Sequence, residues 1–310
     1  MTLENKTLIV AAVETYLEQH PLSQSELCSK SGVNARYMIN IRKGDFTIKE
    51  GTKIIDIADK WFNRLADFIG FETEKSYWKT VPTDQMKSIL ATLKDAKQNA
   101  ETAIITGDTG CGKTFVANLF AQKNPADTYI IKVGSSDNLN DLLIKLLGKL
   151  KIQAYKSSKS SKIRTISSYI RALSENGHEP TIIFDEAEYM KQPALCALKE
   201  LYDVLNGWCA LVLIGTDQLT QNIEKLKRKN KAGIPQLYRR IKFRIRALPT
   251  IDRTFKDFLN GIETGLKRWL QTNCENYGEL HDVLVPAMRE AERTNQPLTE
   301  DFVKMVLGLK

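Results

Sequence analysis

Eight consecutive residues carry the clearest chemistry in the chain: Gly107-Asp108-Thr109-Gly110-Cys111-Gly112-Lys113-Thr114. The pattern is G-x-x-x-x-G-K-T. A short apolar run, Ala103 to Thr106, precedes it, and an expected helix, Phe115 to Gln122, follows it. In that setting the pattern suits phosphate binding. Gly110 and Gly112 let backbone N–H groups curl around an anion, and the helix N-terminus adds partial positive charge. Lys113 can reach the β- and γ-phosphates of a nucleotide, and Thr114 can offer its hydroxyl to Mg²⁺. About seventy residues on, Thr181-Ile182-Ile183-Phe184 runs straight into Asp185-Glu186. Asp185 is placed to hold the metal shell, and Glu186 to orient or deprotonate a water that attacks the γ-phosphate. Asp-Glu at a strand end can also simply cap the next helix. Cys111 lies inside the loop, either as a redox-sensitive thiol or as a tolerated variable position.

These groups need a parallel sheet whose strands end together. The continuous apolar run at 181–184 fits a central strand covered on both faces. Ala210 to Ile214 is a second, ending at Gly215-Thr216-Asp217, and Tyr129 to Val133 a third. Ile241, Phe243 and Ile245 alternate as a last strand would. Leu195, Leu198, Leu201 and Leu205 mark the inner face of a helix. The expectation is an α/β fold, a parallel sheet with helices on both faces, occupying residues 76–248.

Before it, residues 1–75 fit a helix-turn-helix module. Leu8 to Leu17 has helical spacing, and Pro21 ends that helix. Ser23 is a suitable N-cap for a helix from Gln24 to Ser31, Gly32 marks the turn, and Asn34 caps a helix from Ala35 to about Lys43. Leu27, Cys28, Val33, Met38 and Ile41 then face inward, and Arg36, Tyr37, Asn40 and Arg42 face outward. Arg and Asn are the types that read base edges in a major groove, although such a module can also serve protein contacts. A long helix is expected from Ile48 to Ile69, with Ile54, Ile55, Ala58, Trp61 and Leu65 inward, then a linker from Phe71 to Lys79.

Composition narrows the class. The chain has 310 residues and a net charge of +8. Its apolar runs are far shorter than the ~18 to 20 residues a membrane span requires, and its N-terminus does not read as a signal peptide. Five scattered cysteines without a C-x-x-C exclude a disulfide scaffold and a thiolate zinc site, and they fit a reducing compartment. The basic residues are clustered. Lys145 to Arg164 holds seven and no acid, and Lys225 to Arg246 holds ten and no acid. Such blocks suit contact with a polyanion, although a single Lys-rich run is more often a solvated face. The expected contacts are Lys145, Lys149, Lys151, Lys159, Lys162, Lys225, Lys227 and Lys229.

Gly107–Thr114, Phe184-Asp185-Glu186, Gly215-Thr216 and Leu237-Tyr238-Arg239-Arg240-Ile241 together resemble an AAA+ ATPase. With a helix-turn-helix module in front, the whole chain is similar in length and order to the transposition ATPases typified by the phage Mu B protein, TnsC and IstB. The resemblance implies a P-loop core, a small helical lid over residues 249–310, and ATP and Mg²⁺ as cofactors. Thr216 would be a sensor residue. Arg240 would be an arginine finger acting on a neighbouring subunit's ATP, with Arg239 the competing choice. Phe115 would join the loop residues in nucleotide binding. His281, in Gly278-Glu279-Leu280-His281, would stand where the lid often carries a sensor arginine; Arg289 or Arg293 are alternatives. The basic block at 145–164 would line a central channel, with Ser157 to Ser161 a loop that orders on DNA.

The implied function is ATP-dependent assembly, as a filament or ring, on double-stranded DNA with little sequence preference. The assembly would deliver its target to a DDE transposase, in the cytoplasm of a bacterial host at the nucleoid. A helicase loader or replication initiator is an alternative. Another is a helix-turn-helix regulator that only senses ATP.

Overall fold

The structure, a computed structural model, describes residues 1–20, 22–51, 53–71, 77–153 and 157–309. It divides into two compact units: Met1–Ser76 with Gln122–Ala126, and Tyr77–Ala121 with Asp127–Lys310. Pro21 and most of the expected linker, residues 72–76, lie outside the described residues.

The first unit begins with α1 (Leu3–Gln19), α2 (Gln24–Ser31) and α3 (Ala35–Arg42). Ser23 and Glu26 form a reciprocal capping box at the start of α2, and Asn34 caps α3. Gly32 adopts a φ of 71° between them, a conformation that costs glycine little. The next stretch differs from the expectation of one long helix over 48–69. A hairpin of β1 (Thr47–Glu50) and β2 (Lys53–Asp56) comes first, and only then α4 (Asp59–Ile69). The reason is local. Thr47, Ile48, Ile54 and Ile55 are β-branched, and Gly51, at φ 63°, supplies the turn. Ile54 and Ile55, expected inside, are exposed, as is Ala58, while Trp61 is half-buried. The core forms from Ile9, Val13, Leu27, Met38, Ile41, Ile48, Ile57, Phe62 and Leu65.

The second unit opens with α5 (Asp84–Gln98), followed by β3 (Thr102–Thr106), α6 (Lys113–Lys123), β4 (Thr128–Lys132), α7 (Leu139–Leu150) and α8 (Lys159–Glu175). Then come β5 (Thr181–Asp185), a 3-10 turn (Ala187–Tyr189), α9 (Gln192–Leu205), β6 (Ala210–Gly215), α10 (Asp217–Arg228), α11 (Ile234–Ile241) and β7 (Ile245–Ala247). The five strands β3–β7 form one parallel sheet in the order β4-β5-β6-β3-β7. Alternation splits each strand between two cores. Ile104, Ile131, Ile182, Phe184, Leu211 and Leu213 pack with α7 to α11 on one face. Ala103, Ile105, Ile183, Val212 and Ile214 pack with α5 and α6 on the other. The last strand is shorter than its alternation suggests. Ile241 ends α11 inside the core, and Phe243 is 80% exposed. Ser158 caps α8, so 159–161 are helical rather than part of a loop.

The C-terminal helices α12 (Thr264–Asn273), α13 (Tyr277–Thr294) and α14 (Glu300–Val306) share a core of Phe255, Leu259, Leu266, Leu270, Leu280, Leu284 and Val303. Gln85, buried in α5, ties them to the sheet. Its amide donates to the carbonyls of Pro249 and Thr250, and its oxygen accepts from Tyr277 Oη at 3.0 Å.

In the first unit Arg42 is a structural residue. Its Nε and a terminal nitrogen donate to the two carboxylate oxygens of Glu14 at 2.6 and 2.7 Å, and its other terminal nitrogen donates to Gln24. The hydrogen bonds from Arg42 hold the Glu14 carboxyl below its ordinary value of 4.5. A depressed carboxylate stabilises the fold above its unfolded pKa, and the contribution is lost as pH falls through the folded value. Arg42→Ala is therefore expected to lower stability by about 1 kcal/mol at neutral pH, the scale of a partly exposed bidentate pair. In chemical denaturation the gap to wild type should close as pH falls below 4.5; a gap that persists unchanged at low pH would contradict this assignment.

Candidate nucleotide site

The loop 107–112 joins β3 to α6 at the carboxyl end of the sheet, the edge where open α/β sheets bind ligands. Gly107 N donates to Gly215 O at 3.2 Å, which fastens the loop to the end of β6. Gly110 has φ 73°, and the side chain of Asn276 fills the space that a Cβ there would need. Gly278 N donates to Gly110 O at 3.2 Å, so the first turn of α13 rests on the loop. Lys113 Nζ donates to the carbonyls of Gly107 and Asp108, both at 2.7 Å. Thr114 Oγ1 donates to Asp185 Oδ2 at 2.7 Å, joining the start of α6 to the end of β5. Asp185 is buried, and its other oxygen accepts from Glu186 N at 3.0 Å.

Glu186 has left-handed backbone geometry, φ 56°, uncommon for a residue other than glycine and often found at functional positions. Its carboxylate pairs with Lys132 Nζ at 2.9 Å. Thr216 occupies the N-cap position of α10 but its side chain makes no capping bond, and its Oγ1 is buried without a hydrogen-bond partner in the protein. Cys111 is buried, and burial pushes its thiol pKa up, which argues against a reactive thiolate.

These residues line a cavity of about 540 Å³ that includes Thr109 to Val116, Asp185, Glu186, Glu188, Gly215 and Thr216. The volume lies within the range of small-molecule sites. Asp108 and Gly107 stand at its edge through their carbonyl contacts with Lys113. The residues fit a nucleoside triphosphate with a divalent cation. Lys113 is held by loop carbonyls and the Cys111 sulfur and by no carboxylate, Gly112 has open space beside it at φ 91°, and Thr216, which lines the cavity, carries a buried Oγ1 with no hydrogen-bond partner. Thr114 and Asp185 would hold the metal.

The sequence gives no hint of the opposite wall, where Trp78, Val81, Met86, Phe258 and Tyr277 supply an apolar and aromatic surface. Trp78 stacks on Phe258 at 4.8 Å, and Phe258 lies 5.2 Å from Tyr277. These residues are separated by about 180 positions and follow no spacing rule. His281 also lines the cavity, edge-on to Trp78 at 5.2 Å and bonded to Asp282 at 3.0 Å. Arg289 and Arg293 do not line it, and Arg293 pairs with Glu290.

Residues 96–223 match the family described as an AAA domain. The middle of the chain is an AAA+ P-loop domain. Among solved structures, Cdc6p from Pyrobaculum aerophilum has a similar fold. The TM-score is 0.55 at 16% identity, covering 78% of this chain and 70% of that one. Domain III of the replication initiation protein DnaA from Thermotoga maritima gives a TM-score of 0.47 at 14% identity, over 75% of this chain and 94% of that one. No curated protein matches the chain in sequence. Among the described residues no helix is long and apolar enough to cross a membrane.

The residues expected to contact DNA divide into two sets. In the first unit, Arg42 is engaged by Glu14 and Gln24 and is only partly exposed. Asn40 Nδ2 donates to Thr47 O at 2.7 Å, Arg36 donates to Lys49 O, and Tyr37 packs on Trp61. The hairpin takes up Asn40 and one nitrogen of Arg36, while Arg36 itself stays exposed. In the AAA+ domain, Lys162 is buried at 3% exposure and donates to Asn140 Oδ1, so it does not face solvent. Lys145 pairs with Asp137 at 2.5 Å. Lys149, Lys151, Lys159, Lys225, Lys227 and Lys229 are exposed. Arg240 pairs with Asp203 at 2.7 Å and is largely buried, whereas Arg239 is exposed.

Lys113→Ala is expected to remove the site's main cation while leaving the fold intact. Equilibrium binding of a fluorescent ATP analogue should weaken at least a hundredfold, as charge-assisted contacts of about 1.5–3 kcal/mol each are lost. Near-wild-type affinity would contradict the assignment of the site.

Proposed function

We propose that the chain is an ATP-hydrolysing, DNA-binding protein that assembles on duplex DNA and delivers it to a DDE transposase. The observation that carries the ATPase reading is the Thr114 Oγ1–Asp185 Oδ2 contact beside Glu186, in a cavity that Lys113 can serve. Hydrolysis adds a water oxygen to the γ-phosphorus and breaks its bond to the β–γ bridging oxygen, so that ADP leaves with the bond pair. Glu186 orients the water and takes its proton, and Lys113 stabilises the phosphate oxygens. A bound Mg²⁺ would supply additional neutralisation of phosphate charge. Glu186 must first part from Lys132, because an ion-paired carboxylate is a poorer acceptor.

The DNA reading rests on exposed lysines. Lys225, Lys227 and Arg228 crowd the last turn of α10, and Lys229 follows. Some of that charge complements the helix dipole, but the cluster exceeds what one helix end requires. Phosphate contacts of this kind bind duplex with little sequence preference. Transposition is supported by the motif resemblance and by the order of a helical N-terminal unit before the AAA+ domain. Arg239 and Arg240 are the candidates for a residue acting in trans. The in-chain pairing of Arg240 with Asp203 favours Arg239, whose guanidinium is exposed.

ATP hydrolysis measured with random-sequence duplex, and then with a partner DDE transposase added, is expected to rise at each step. The logarithm of DNA affinity should fall with the logarithm of salt at about 0.9 per phosphate contact. Hydrolysis indifferent to both additions, or operator-specific binding without ATP, would refute the proposal. Mixing Lys113→Ala with Arg239→Ala should restore activity that neither has alone; no recovery in mixed assemblies would rule Arg239 out as the trans residue.

A further inference from the structure

In the first unit a half-buried indole carries two cations. Lys60 Nζ lies 5.0 Å from the centre of the Trp61 ring, and the guanidinium carbon of Arg64 lies 4.8 Å from it. Tyr37 of α3 packs on the same ring at 5.1 Å. Lys60 and Arg64 are both exposed and sit four residues apart on α4. Like charges at that spacing on a helix repel, yet cation–π attraction to the indole holds both beside it. Arg64 is fixed further, because one terminal nitrogen donates to Gly32 O at 3.1 Å in the turn between α2 and α3. Its other donors have no acceptor among the described residues.

Other cations of this unit have acids of their own. Arg42 pairs with Glu14, and Lys6 pairs with Asp59 at 3.0 Å. Asp59 precedes Lys60 in the chain, but it also takes the Met1 amine at 2.6 Å. Among the described residues neither Lys60 nor Arg64 pairs with a carboxylate. The two are left for an anion from outside the chain. A guanidinium fork beside an ammonium suits the oxygens of a phosphate. The indole is half-buried and flanked by both cations and Tyr37. Little of the ring is free to stack on an unpaired base or to anchor a peptide side chain, which are the usual uses of an aromatic at a binding surface.

We propose that Lys60 and Arg64, braced on Trp61, form a phosphate clamp for the backbone of duplex DNA. This rests on the DNA-binding part of the reading above and adds a contact point in the first unit to the lysines of α10. The clamp reads no base edge. It lies on α4 and is distinct from readout by the outer face of α3.

The test uses the full-length protein with ATPγS and a fluorescein-labelled random-sequence duplex, and follows anisotropy through a salt series. Lys60→Gln and Arg64→Gln should each reduce the slope of log affinity against log salt by about 0.9, and the two combined by about twice that. Arg64→Lys keeps the charge and should keep the wild-type slope. Lys53→Gln, an exposed hairpin lysine not held on the indole, should leave the slope unchanged. If the combined variant melts early, Lys60→Gln, which breaks no hydrogen bond of the fold, carries the same test. In fluorine NMR of fluorotryptophan-labelled protein, the Trp61 resonance, identified by its loss in Trp61→Phe, should shift when duplex is added. It should stay in place in the combined variant. An unchanged slope in Lys60→Gln and Arg64→Gln, an equal fall in Lys53→Gln, or a Trp61 resonance indifferent to duplex would overturn the proposal. So would a Trp61 shift that poly-glutamate brings about at lower concentration than duplex, which would mark an acidic protein as the partner. Should wild type bind no duplex at all, the DNA-binding reading itself fails. Inorganic polyphosphate titrated against the Trp61 resonance then decides the clamp separately, and no shift there overturns it.

Discussion

A single hydrogen bond, Thr114 Oγ1 to Asp185 Oδ2, draws together the first turn of α6 and the last residue of β5. The two residues are 71 positions apart, and they meet only because β6 lies between β3 and β5, all three parallel. Parallel pairing needs crossover helices, and those helices bury both faces of the sheet. The continuous apolar runs in β5 and β6 are the direct consequence. A slip of register by one residue would turn Asp185 and Thr216 away from the loop and put charge into a core. The geometry of the site is thus secured by the same packing that makes the fold.

The phosphate-binding side was legible because its chemistry is local. A glycine-rich loop, a lysine and a hydroxyl must be neighbours in the chain to be neighbours around a phosphate. The acidic side was legible from the apolar run that ends at Asp185. The aromatic wall was not. Trp78 stacks on Phe258, Phe258 packs on Tyr277, and Tyr277 is tied to Gln85, contacts between distant segments that no periodicity encodes. Glu188 was hidden for another reason. Its position follows from a 3-10 turn and from the missing side chain of Gly215, both tertiary facts. At 48–69 the isoleucines have helical spacing, but Gly51 and the β-branched residues around it favour a hairpin.

Charge was the least legible property, because a residue's type does not reveal its partner. Arg42, Lys145, Lys162 and Arg240 belong to basic surfaces in the sequence, yet each is bound to an acid or amide of its own fold. Lys97 shows the same economy, buried against Asp127 at 2.5 Å. Among the described residues of the two blocks, Lys149, Lys151, Lys159, Lys225, Lys227 and Lys229 are exposed.

The assignment of Thr114 and Asp185 as ligands of a nucleotide-bound metal turns on how binding responds to Mg²⁺. Titration of a non-hydrolysable ATP analogue with and without Mg²⁺, in wild type and in Asp185→Asn, tests it most directly. Mg²⁺ is expected to tighten binding to wild type. Asp185→Asn is expected to bind the metal-free nucleotide with near-wild-type affinity but to gain little from Mg²⁺. An equal Mg²⁺ effect in the two proteins would contradict the assignment.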